Sequence, residues 1–101
     1  MPTPIAQGLE GVASAVAAAR QAVGDDRAAS PVTTAIVEEF ARKTEKAVAA
    51  ADREAVVELE QAGDCAKVAA EADAGLTDAT RQAVLDAHMA ICVLKAQTAA
   101  V

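Results

Sequence analysis

Apolar residues recur at steps of four, three, four and seven along the first quarter of the chain. Ile5, Leu9, Val12, Val16 and Val23 therefore lie on one stripe of an α-helix. Local punctuation frames that stripe. Thr3 can cap, Pro4 suits the first helical position, and Gly24 can take the left-handed conformation after a last turn, which predicts a helix over 4–23. Gly8, Gly11 and Ala15 border the stripe and leave room for a closely packed neighbour, and 25–29 forms a polar connection.

Ser30 and Pro31 repeat the start signal, and Val32, Ile36, Val37, Phe40, Thr44 and Val48 continue at helical spacing. Where this second helix ends is ambiguous, because Ala49, Ala50 and Ala51 run into Asp52 with no Gly or Pro between them. In one reading Asp52 caps a new helix and the chain folds back into four antiparallel helices. In the other the helix is continuous, and the recurrence of Val37, Val48, Leu59 and Ala70 at steps of eleven favours this reading. Continuity carries the helix over 31–62, about 48 Å long, with Gly63 as its C-terminal glycine and Asp64 opening a helix over 64–74.

Leu76 and Thr77 then supply a hydrophobic residue ahead of a cap, which predicts a last helix over 78–97. Val84, Leu85, His88, Ile91, Cys92 and Lys95 share one face of it, and the turn from Met89 to Leu94 is apolar all round, so it is expected to be the most buried part of the chain. No strand alternation or hairpin turn competes with these patterns. The fold class is all-α: one domain over 1–101, a small antiparallel bundle of three to four helices.

Composition adds a reason to expect self-association. Hydrophobic residues make up 53% of the 101, but many are alanine, whose methyl group removes little apolar area from water, and Phe40 is the single aromatic residue. The core is thin, and an unbroken 48 Å helix outruns the cover that either flanking helix can give it. Completion of the bundle by a homodimer follows from both considerations.

Charge narrows the choice of partners. The net charge is −6, and residues 52–74 carry seven acids against Arg53 and Lys67. Arg42, Lys43 and Lys46 are interleaved with Glu38, Glu39 and Glu45, so no uncompensated basic stripe is available for a phosphate backbone, and no nucleic-acid partner is expected. The strongest apolar run, Met89 to Leu94, falls far short of the roughly 20 residues that cross a bilayer. Neither a membrane partner nor a secretory signal is expected, which makes the cytoplasm the expected compartment.

Two cysteines form no disulfide framework. His88 and Cys92 project from one helical face, four positions apart, and are the one pair of metal-ligand types at useful spacing. An antiparallel hairpin turning at 75–77 sets residue 65 opposite residue 87, so Cys65 is a candidate third ligand, with Asp86, solvent or a second subunit as the fourth. The bland alternative is a histidine bonded to a carboxylate or carbonyl beside an apolar-packed Cys92. The carboxylates show no singled-out acid–base pair, and neither a phosphate loop nor a nucleophile elbow occurs. The sequence thus points to a non-enzymatic helical module, without a cofactor, that serves protein interaction or assembly. The alternative is a small metal- or thiol-sensing protein built on Cys65, His88 and Cys92.

Overall fold

Four helices are present: α1 (Pro4–Asp25), α2 (Pro31–Ala50), α3 (Arg53–Ala72) and α4 (Asp78–Ala99). The computed structural model describes residues 3–99. A side-chain oxygen caps the start of every helix. Thr3 accepts from the Ala6 N–H at 3.1 Å, Ser30 from Thr33 at 3.2 Å, Asp52 from Ala55 at 2.8 Å and Thr77 from Thr80 at 3.2 Å. The helices pack in a ring, each against the next, and α4 closes on α1. This is the up-and-down four-helix arrangement, 41 × 20 × 18 Å in extent.

The interior is built from one stripe of each helix. Leu9, Val12 and Val16 of α1, Val37 and Phe40 of α2, Val56 and Leu59 of α3, and Val84 and Ile91 of α4 are all at most 2% exposed. Each such side chain contributes about 1.5–3 kcal/mol by leaving water. Three buried threonines join this core without leaving a hydroxyl unpaired. Thr44, for example, donates to the Phe40 carbonyl one turn back at 2.8 Å. Among the described residues, no buried side-chain nitrogen or oxygen lacks a partner.

The chain breaks where the eleven-residue recurrence favoured continuity, so the expected 31–62 helix is two helices. Ala51 takes the left-handed conformation (φ 48°, ψ 41°), and the chain reverses before Asp52 caps α3. An L-residue there costs roughly 1–2 kcal/mol, less than the gain from burying Val56 and Leu59 against the bundle. The steps of eleven span two separate helices, each of which keeps its own face. Gly63 likewise ends nothing. It is buried within α3, where a Cβ would stand 3.0 Å from Ile91 Cγ2 and 3.2 Å from Phe40 Cζ. The expected 64–74 helix is thus the second half of α3, and Gly63 is small because two large side chains converge on it.

Other expectations shift by less. α1 runs past Gly24 to Asp25, and among the described residues no glycine has positive φ. The stretch from Met89 to Leu94 is not buried throughout: Ile91 and Leu94 face the core, whereas Met89 is 60% and Val93 48% exposed. Val32 and Val48 also face outward, because α2 turns Thr33, Val37, Phe40, Thr44 and Ala47 inward. Among the interleaved charges of α2, Glu38 pairs with Arg20 across the α1–α2 seam, and Arg42 pairs with Glu39.

At one end of the bundle the α1–α2 and α3–α4 loops clamp each other. Asp73 accepts from the Ser30 N–H at 2.9 Å and the Thr33 hydroxyl at 2.7 Å, and Asp26 accepts from the Thr77 N–H at 3.0 Å. Each loop thus holds the start of the helix that follows the other. Arg81 completes the end by donating to the carbonyls of Ala70, Asp73 and Leu76. Gly75 is required here, since a Cβ would lie 2.5 Å from the Ala28 carbonyl oxygen.

Two stability predictions follow from this end and from the turn at Ala51. Ala51→Gly relieves the left-handed alanine and is expected to stabilise the fold by about 1 kcal/mol, raising the melting temperature by about 4–8 °C. The Thr77 N–H holds the Asp26 carboxyl below its ordinary 3.8, and the Ser30 N–H does the same for Asp73. A carboxylate depressed by folding stabilises the fold above its unfolded pKa and loses that contribution as pH falls through the folded value. Calorimetry should therefore show a melting temperature that is flat above about pH 5 and falls in more acid solution. Asp73→Asn should lower the plateau and flatten the fall.

Candidate metal centre

The α3–α4 seam carries the polar side chains that the ring does not use for packing. Glu60, Asp64 and Lys67 lie on α3, and His88, Cys92 and Lys95 on α4. Because the helices run antiparallel from the turn at 73–77, positions summing to about 152 face each other. The register agrees with that expected for a hairpin turning at 75–77, and residue 88 meets residue 64.

Three donor atoms converge there. His88 Nε2 lies 2.7 Å from Asp64 Oδ1 and 3.3 Å from Cys92 Sγ. Ligand atoms of Asp64, His88 and Cys92 all lie within 4.8 Å of one another. An ionised carboxylate only accepts, so Nε2 carries the proton in the contact with Asp64. That proton occupies the position from which a metal ion could reach nitrogen, oxygen and sulfur together.

The surroundings grade from wet to dry across the site. The Asp64 side chain is 55% exposed and that of His88 only 13%. The hydrogen bond from His88 is the main reason that Asp64 is held below the ordinary carboxylate range. Burial, with the negative charges of Glu60 and Asp64, pushes the Cys92 thiol upward. Without a cation, then, the thiolate form of Cys92 is disfavoured. A divalent ion in the site reverses that balance by stabilising the thiolate directly.

The ligand set drawn from sequence is brought together in part. His88 and Cys92 meet as their four-residue spacing requires. Cys65 is exposed and lies outside the cluster, because one residue along a helix is a rotation of about 100°, which turns position 65 off the seam that position 64 faces. Asp64 takes the place expected for Cys65. Asp86 is not in the cluster either, and it accepts instead from Gln82 at 2.8 Å on the exposed side of α4. The signal that could have found Asp64 was the hairpin register combined with helical phase, since 64 and 88 sum to the same value as 65 and 87.

Comparison of the chain with protein-family models, with curated proteins and with solved structures finds no match. Among the described residues, no helix is long and apolar enough to cross a membrane.

Proposed function

We propose that the chain is a non-enzymatic metal-binding protein that holds a transition-metal ion of the zinc class between α3 and α4. The observation that carries this reading is the convergence of an imidazole nitrogen, a carboxylate oxygen and a cysteine sulfur within 4.8 Å, from two helices whose register is fixed elsewhere. Mixed nitrogen, oxygen and sulfur donors in a compact set suit a borderline ion that accepts tetrahedral geometry. Sequestration or sensing of such an ion is the corresponding role.

A second reading, an interaction or assembly module that forms a homodimer in the cytoplasm, is favoured by the exposure of Val32, Val68 and Met89, each at least 60%. The folded chain has less need of such cover than an unbroken second helix would have. With the helix broken at Ala51, no 48 Å face is left to cover, and the ring is closed by its own four members.

Zinc titration of the reduced protein against a chromophoric chelator tests the first reading. One ion per chain, bound more tightly than about micromolar, is the expected result. His88→Ala and Cys92→Ser should each weaken binding by about 10- to 100-fold or more, while Cys65→Ser leaves it unchanged. Absence of stoichiometric binding by the natural sequence overturns the proposal. Sedimentation of the same samples distinguishes the second reading, which requires a dimer at micromolar concentration with or without the ion.

A further inference from the structure

Across the α3–α4 seam, two pairs of side chains spaced one turn apart face each other. Glu60 and Asp64 sit four residues apart on α3, and His88 and Cys92 four residues apart on α4. The antiparallel register that sets Asp64 against His88 also sets position 60 against position 92, one turn or about 6 Å further along the axis. Four donor-bearing residues thus occupy the corners of one small patch, and three of them already converge.

Glu60 is the fourth corner. Its side chain is only 14% exposed, and its Oε2 accepts from Lys95 Nζ at 3.3 Å, the far edge of hydrogen-bonding distance. A carboxylate so far withdrawn from water needs a nearby cation, and Lys95, three residues beyond Cys92 on α4, supplies it. We propose that Glu60 is the fourth protein ligand of the metal centre and that Lys95 is the cation standing in for the ion. This rests on the metal-binding reading above and closes the site that three ligands leave open.

The charges balance in the loaded state. When the ion enters, the Cys92 thiol proton passes to solvent, the neutral His88 ring keeps its one proton by carrying it on Nδ1 so that Nε2 is free to bind, and the Glu60 carboxylate turns from Lys95 to the ion. Three negative ligands, Glu60, Asp64 and the Cys92 thiolate, then face the two charges of the ion and the one of Lys95. Four protein ligands leave no coordination position for water. Such a closed site stores or senses an ion and does not activate a water molecule for hydrolysis.

Cobalt(II) added to the full reduced chain reports coordination directly, through visible bands that are intense in tetrahedral sites and a near-ultraviolet band from thiolate. The natural sequence is expected to show both. Glu60→Gln, nearly isosteric, should shift the visible bands and weaken binding on the order of tenfold or more, while keeping the thiolate band and the helical circular dichroism spectrum. Lys95→Met, which removes the competing cation, should tighten binding. Wild-type affinity and an unchanged visible spectrum in Glu60→Gln would show that water holds the fourth position, and would overturn this inference while leaving the three-ligand site standing. Unchanged or weaker binding in Lys95→Met would overturn the stand-in role of Lys95. Failure of the natural sequence to bind cobalt(II) at all would overturn both the fourth ligand and the reading beneath it.

Discussion

Alanine-rich helices pack closely but hold their neighbours poorly in register, because one methyl group resembles the next and a helix can slide by a turn at little cost. The constraint on which this molecule depends is therefore the one that forbids sliding. Asp26 and Asp73 provide it by reaching across the end of the bundle, so that each of two loops fixes the start of a helix it does not precede. Arg81 ties down the last carbonyls of α3 at the same end. Further along the axis, the tip of Phe40 and Ile91 pack on the bare backbone of Gly63, a shape-specific contact that a slipped helix would lose.

The α3–α4 seam inherits its geometry from those contacts. A slip of one turn would carry His88 roughly 5 Å along the axis from Asp64, too far for the 2.7 Å hydrogen bond between them. Local helical structure alone guarantees only that His88 and Cys92 are neighbours. Bringing a carboxylate from another helix to the same nitrogen is a property of the whole fold. The lowered carboxyl of Asp64, held down chiefly by the hydrogen bond from His88, is the electrostatic record of that meeting.

Much of the fold is legible in the sequence, for identifiable reasons. Thr3 with Pro4 and Ser30 with Pro31 are paired start signals, and both open helices as expected. The stripe of Leu9, Val12, Val16 and Val23 is buried because apolar spacing and helical period agree over the whole of α1. The turn at Ala51 was opaque because it uses a residue with the highest helix propensity in a conformation that glycine would adopt more cheaply. Only the tertiary burial of α3 outweighs that preference, and the one local sign of the break is Asp52, which one of the two readings of the sequence takes as a cap and which does cap α3. Gly63 misled for the converse reason: a glycine that local rules assign to a helix end is present because of its neighbours on α2 and α4. In the candidate site, the spacing of His88 and Cys92 was visible, whereas choosing Asp64 over Cys65 required the rotational phase of α3 to within one residue.

The ring of helices also brings the two ends of the described chain together. Thr3, Pro4 and Ile5 share a small surface pocket with Leu94, Gln97 and Thr98, and the Arg53 guanidinium donates to the Thr98 carbonyl beside it. The seam between α4 and α1 is thus a fourth corner of the ring, beside the three loops. A short linker between the described ends would close the polypeptide into a circle there, and reopening it at the left-handed Ala51 turn, away from the two loops that clamp each other, would give a permuted chain with the same four-helix ring.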